Sequence, residues 1–320
     1  MHRRTALALP LLALPAIARA QSSGRPLRMV IPYTPGGSND FVGRLLADGM
    51  ASRLNQPVVV ENRGGAGGLI GNDVVAKAAG DGQTILLAGS GSFLISSLVQ
   101  PRLPYDLEKD FAPVGYIGAS PNIITVKPSS HITNLTELQA YGRAASGPLR
   151  FGTAGVGSTS HALGAMIGVE LGIELEAVHY RGTGPALNDM LGGRLDILTN
   201  AAAPFLPHLE AGTLKAVAVA GLRRTAALPD VPSSAEQGFP GLNSATWYGL
   251  LASGGTPAPR LAELHAALND ALNDPEIKRR LTESGVEVET LPSPAAFGDF
   301  LTEDRKRWAR VVSRANLKVD

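Results

Sequence analysis

The chain has 320 residues, with 29 Lys and Arg against 28 Asp and Glu, no cysteine, and 44% hydrophobic residues. So even a balance excludes a general nucleic-acid binder, which needs a clustered surplus of Lys and Arg to neutralise phosphates. Without cysteine there is no disulfide, thiol chemistry or acylated lipoprotein cysteine. Stability must come from a large core, which at this length commonly divides into two lobes.

Residues 1–20 read as a secretory signal. Arg3 and Arg4 precede a mostly apolar run from Ala6 to Ala18, and Ala18-Arg19-Ala20 places small residues before a cut at Gln21. The run falls short of the ~20 apolar residues that span a bilayer. Paired arginines leave both the ordinary and the twin-arginine export routes open. Cleavage takes Arg3, Arg4 and Arg19 from the 29 basic residues, leaving 26 against 28 acidic ones. The expected location is the periplasm.

From Leu27 onward, strand and helix patterns alternate. Leu27 to Ile31 reads as a buried strand, Phe41 to Leu54 as an amphipathic helix, and Val58 to Glu61 as a strand. The turn Gly64 to Gly68 leads into a helix over Leu69 to Ala79. Thr84 to Ala88 is a strand, and Gly89 to Ser92 is a small-residue turn before another helical stretch. The pattern resets at Ile123 to Val126. Helices over 134–145, 158–171 and 184–191 then alternate with strands at 149–151, 176–180, 196–199 and 215–220. Trp247 to Ala252 reads as a returning strand, and helices at 259–272, 276–284 and 294–314 complete the chain.

This alternation predicts an α/β fold with mostly parallel sheets. The reset divides it into lobe 1, residues 27–123 plus 247–320, and lobe 2, residues 124–246. Two crossings imply a two-strand hinge, with a ligand in the cleft. One large domain with an insertion is the competing layout.

Two turns of the same design carry the chemistry. Pro32 to Asp40 and Gly152 to His161 each follow a strand and open a helix. Free N–H groups and the positive end of the helix dipole make such a turn an anion site. In the first, Gly36 and Gly37 give the bend, while Tyr33, Thr34, Ser38 and Asn39 are candidate contacts. Asp40 would repel an anion, so it is expected to support the loop. In the second, Gly157, Ser158 and Thr159 offer N–H groups and hydroxyls with no acidic neighbour. Plain helix capping accounts for the same residues and stays open for both turns.

Further candidates lie at strand ends: Ser90, Ser92, Arg181, Asn200 and Ala201. Arg181 suits a ligand carboxylate or a surface acid such as Asp196. The run Gly155-Val-Gly157-Ser-Thr-Ser160 nearly matches a dinucleotide fingerprint but lacks its last glycine and the acidic residue after the next strand. His131, His161, His179, His208 and His265 are scattered without ligand spacing, so neither metal nor cofactor is expected. Ser158 and His161, one helical turn apart, allow a serine hydrolase reading that lacks an orienting carboxylate.

Ile31 to Asp40 followed by Val60 to Gly71 resembles the opening of the tripartite tricarboxylate transporter substrate-binding proteins, the Bug family. Tyr105-Asp-Leu, Asp110-Phe, the Gly152 to His161 turn, Tyr180-Arg-Gly, Gly193-Arg-Leu-Asp196, Leu228 to Pro232 and Trp247-Tyr-Gly extend the likeness, in order, over essentially all of the mature chain. The resemblance implies a type II periplasmic binding protein that closes on a small carboxylate and delivers it to membrane permease subunits. It implies a monomer that is not an enzyme. It names Thr34, Gly37, Ser38 and Asn39 on one side of the ligand, with Gly157, Ser158 and Thr159 on the other. Asn39 stands where threonine is expected in many members. A periplasmic sensor handing its closed form to a signalling partner is the alternative within the same resemblance.

Overall fold

The computed structural model describes residues 25–317. The signal-peptide expectation, residues 1–20, lies outside that range.

The first lobe opens with β1 (Leu27–Ile31), α1 (Ser38–Leu54), β2 (Val58–Asn62), α2 (Leu69–Ala76) and β3 (Thr84–Gly89). A π-helical turn at Ser90–Ile95 and the short α3 (Ser96–Val99) follow, where the sequence suggested one helical stretch. Next comes β4 (Phe111–Val126), a single strand of 16 residues. Only its last four residues carry a plain strand pattern in sequence, because the Pro and Gly residues at 113, 115, 118 and 121 mask the rest.

The second lobe contains α4 (Leu135–Ala144), β5 (Leu149–Thr153), α5 (Thr159–Leu171), β6 (Leu175–His179), α6 (Thr183–Leu191), β7 (Ile197–Ala201), α7 (Leu206–Glu210) and β8 (Lys215–Ala220). The chain returns along β9 (Ala245–Ser253). It ends with α8 (Ala258–Asn273), α9 (Pro275–Glu283), β10 (Glu287–Val288) and α10 (Pro294–Arg314).

The strands run β2-β1-β3-β9-β4-β7-β5-β6, with β8 and β10 also paired to β4. β1 is parallel to β2 and β3, and β5 is parallel to β6 and β7. Every antiparallel pairing involves β4 or β9, the strands that pass between the lobes. Along β4, residues from Phe111 to Pro121 pair with β9, whereas Asn122 to Val126 lie between β7 and β8. The exchange of partners is fixed by one backbone and one side-chain hydrogen bond from Asn122. Asn122 N donates to Ser244 O at 2.9 Å and Asn122 Nδ2 to Ser244 Oγ at 2.8 Å.

Alternation along the strands divides each lobe's core into two layers. Met29, Ile31, Ile85 and Leu87 pack on one face with Leu46 and Met50 of α1 and Leu268 of α8. Val30, Leu86 and Ala88 face the other way, toward Phe93, Trp247, Phe297 and Trp308. In the second lobe Ile124, Phe151 and Ile197 pack under Leu163 and Ile167, while Ile123, Leu198 and Val219 meet Met190 and Phe205. Helix α5 has no polar face to speak of, and its packing shows why. Leu163 and Leu171 face their own sheet, whereas Ala162 joins the first lobe's core.

Gly164 lets α5 lie directly on Phe151, since a Cβ there would overlap the aromatic ring. Gly164→Ala gains helix propensity of about 1 kcal/mol, but overpacking costs about 1–3 kcal/mol. The expected result is a net loss, read as a lower denaturant midpoint.

Candidate functional site

The first turn is held in shape by a carboxylate facing away from the cleft. Asp40 accepts from Gly36 N at 3.1 Å, Arg44 Nε at 3.1 Å and Asn62 Nδ2 at 3.0 Å. Asn62 Nδ2 also reaches Tyr33 O at 3.1 Å, so β2 and the turn move as one piece. Burial raises the Asp40 pKa, but the hydrogen bonds from Arg44, Asn62 and Gly36 outweigh it and hold the carboxyl below its usual range. Gly36 adopts φ +88, a conformation that costs a side chain dearly.

The second turn is braced from within lobe 2. Ser158 Oγ caps α5 by accepting from His161 N at 3.2 Å and pairs with Ser160 Oγ at 2.9 Å. Gly157 N donates to His161 Nδ1 at 3.2 Å. This uses Ser158 and the imidazole for loop structure, which is the capping role, and leaves that pair poorly disposed as nucleophile and base.

The two turns meet around a small enclosed cavity. Tyr33, Gly37, Ser38 and Asn39 line it from the first turn, Ala154, Ser158 and Thr159 from the second. Gly89, Gly91 and Ser92 come from the end of β3 and the π-helical turn, Asn200 from β7, Thr183 from α6 and Thr246 from β9. The N-termini of α1, α5 and α6 therefore converge on one point. Each leaves its first backbone N–H groups without an intrahelical acceptor and carries about half a positive charge.

Every lining side chain is uncharged. Burial pushes the Tyr33 phenol well up, only partly countered by the Ser92 hydroxyl, so it stays protonated. About 10 Å³ is open to the centre of a water molecule, room for roughly one water.

Six expected residues fall outside this lining. Thr34 N and Oγ1 donate to Arg181 O at 3.2 and 3.3 Å, so Thr34 latches the first turn to the backbone before α6. Gly36 is exposed and serves the bend, and Gly157 serves the second turn. Ser90 Oγ donates to Ala245 O at 3.3 Å and Ala201 pairs with Asn122, both at the crossing strands. The Arg181 side chain is exposed, and Asp196, its suggested partner, instead accepts from Lys127 Nζ at 3.1 Å and Arg150 N at 3.0 Å.

Thr183 and Thr246 line the cavity in addition to the residues expected from sequence. Gly182-Thr183 opening α6 is a local mark of a helix N-terminus. Nothing in sequence marks Thr246, which reaches the cavity by the pairing of β9 with β4. Among the described residues no group of three His, Asp or Glu side chains is placed to hold a metal.

The family model of the tripartite tricarboxylate transporter family receptor matches residues 42–317. The chain belongs to that family. It is similar to the periplasmic binding protein BugD, at 34% identity and TM-score 0.87, covering 92% of this chain and 98% of BugD. It is similar to MatC from Rhodopseudomonas palustris with bound malate, at 33% identity and TM-score 0.84, covering 90% and 98%. It is also similar to Rpa4515 of R. palustris with adipate, at 31% identity and TM-score 0.88, covering 92% and 98%. The fold is thus that of periplasmic solute-binding proteins.

Asp40→Ala removes the acceptor for Gly36 N–H and the Asn62 amide, an expected loss of about 1–3 kcal/mol near neutral pH. A carboxyl depressed in the folded state stabilises above its unfolded pKa, about 4, and that contribution is lost as pH falls through the lower folded value. Thermal melts from pH 7 to 3 should show the gap between wild type and variant narrowing below about pH 4.

Proposed function

We propose that this protein is a periplasmic receptor that captures a small carboxylate between its lobes and delivers it to the permease of a tripartite tricarboxylate transporter. The observation that carries the reading is the convergence of three helix N-termini on a buried cavity without a charged side chain. A carboxylate there is stabilised by N–H groups and helix dipoles. The malate and adipate named with two similar structures support the same ligand class. No cofactor enters this scheme, and a monomer suffices for it.

The lobes span 27–123 with 247–320, and 124–246, and they close by bending at the β4 and β9 crossings. With room for one water, the cavity admits a carboxylate only when the lobes part. Closure relies on backbone packed against backbone: a Cβ at Gly67 would overlap Val156 O, and one at Gly91 would lie 2.7 Å from Thr159 N. Thr159 Oγ1 meets Thr246 Oγ1 at 2.9 Å within lobe 2, which ties the start of α5 to the β9 crossing. Exposed ion pairs at the edge between the lobes, Arg314 with Glu170 and Arg223 with Glu287, contribute little.

Calorimetric titration with malate, succinate, adipate, glutamate and benzoate tests the carboxylate reading, and silence across the panel would overturn it. Gly91→Ala should lower the affinity of any acid that binds by about tenfold or more and lower the melting temperature of the free protein much less, because the added carbon meets backbone (Thr159 N at 2.7 Å) only across the closed seam and within its own lobe meets only the Tyr33 hydroxyl, at 3.1 Å. The double variant Ser158→Ala, Thr159→Ala should weaken binding by a similar factor through loss of the α5 cap and the Thr246 contact. N-terminal sequencing of exported protein should begin at Gln21.

A further inference from the structure

Two histidines meet beside the second turn. His161 stands in the first turn of α5 and His179 ends β6. Their rings lie edge to face, with centroids 4.8 Å apart and planes at 87°. Each is tied to the backbone of the turn. Gly157 N donates to His161 Nδ1 at 3.2 Å, while His179 Nδ1 lies 2.7 Å from Thr153 Oγ1, which accepts from Gly155 N at 3.1 Å. Gly155 and Gly157, at φ +126 and +75, can populate many other backbone states, and these bonds select the one observed.

An imidazole accepts at Nδ1 only while it is neutral with its proton on Nε2. Protonation of His161 therefore sets N–H against N–H at Gly157 and breaks the brace. The positive end of the α5 dipole opposes that proton, and so does a charge on His179. The other elements packed against this end of α5 carry few charges. β7, residues 90–99 and the turn 64–68 contain none. β5 and β6 add only Arg150 and Glu176, each three residues from the Thr153–His179 pair and so on the opposite face of the sheet, where Tyr180 also pairs with Asp189. Glu170 lies more than two turns further along α5, paired with Arg314. Toward the first turn, the Tyr33 and Tyr248 phenols are pushed well up by burial and stay protonated.

We propose that His161 is a positioning residue that makes capture pH-dependent: as a neutral imidazole it fixes the second turn for the acid, and on protonation it releases Gly157 and lowers affinity. This rests on the carboxylate reading above. The imidazole does not line the cavity, so it acts through the turn, in which Gly157 leads directly into Ser158 and Thr159. Imidazoles change charge near neutrality, which puts the loss of grip within reach of mild acidification.

The test has two readouts. NMR titration of the histidine ring nitrogens in the free protein should show His161 as the Nε2–H tautomer, taking up its proton below the ~6.5 of a free imidazole. An Nδ1–H tautomer, or a midpoint at or above that value, would overturn this proposal alone. Calorimetry with malate and with adipate at about pH 7.5 and about pH 5.5 measures the effect on capture. His161→Asn places an oxygen near the position of Nδ1 and does not titrate. It should match wild type within about threefold at the higher pH and bind about fivefold or more tighter than wild type at the lower, the comparison at equal pH cancelling titration of the acids themselves. His179→Asn, which keeps a partner for Thr153, should shift wild-type behaviour toward that of His161→Asn. A ratio of wild type to His161→Asn that does not change with pH, or wild type the tighter binder at the lower pH, would overturn the assignment. Silence of all three proteins with both acids would overturn the capture role together with the carboxylate reading.

Discussion

β4 is hydrogen-bonded in both lobes, and the placement of the cavity follows from that single strand. Its first eleven residues belong with β9, its last five with β7 and β8, and the changeover falls between Pro121 and Asn122. Proline has no N–H to give to a ladder, so a strand can leave one neighbour there without orphaning a donor. Asn122 then ties the changeover to Ser244 and Thr246. The carboxyl ends of β1 and β3 in one lobe, and of β5, β6 and β7 in the other, consequently face one another. Helices that start at those ends have their N-termini in the cleft, which is where open α/β sheets place ligands.

That geometry creates an electrostatic problem that the sequence solves locally. Three helix N-termini brought together carry like partial charges, and each must hold its loop without using the N–H groups that face the cavity. Asp40 does so from behind, through Gly36, Arg44 and Asn62. On α5 the Ser158 hydroxyl and the His161 ring do the same. The result is a site whose polar side chains are largely fixed by one another before any ligand arrives. Such preorganisation lowers the entropic cost of binding.

Glycine has a separate purpose along the seam. Gly67, Gly91 and Gly182 each sit where a methyl group would strike the backbone or a side chain of the opposite lobe. The packing of one lobe on the other thus depends on missing atoms as much as on contacts made. Close backbone approach also explains the small free volume of the cavity.

The sequence by itself determined most of the elements, though not α7, β10 or the length of β4, and with them the two glycine-rich turns, the family likeness and the supporting position of Asp40. These rest on local patterns: hydrophobic periodicity, turn residues and helix-opening residues act within a few positions of themselves. Thr183 opens α6 and carries the same kind of local mark, while the charged Arg181 two residues before it faces solvent. Only the tertiary structure decided that β4 is one strand, that Thr246 reaches the cavity through strand pairing, and that His179 is brought against His161. Each depends on which residues far apart in sequence are brought opposite one another, and hydrogen-bond partners across a sheet or a cleft leave no periodic mark in the chain that makes them.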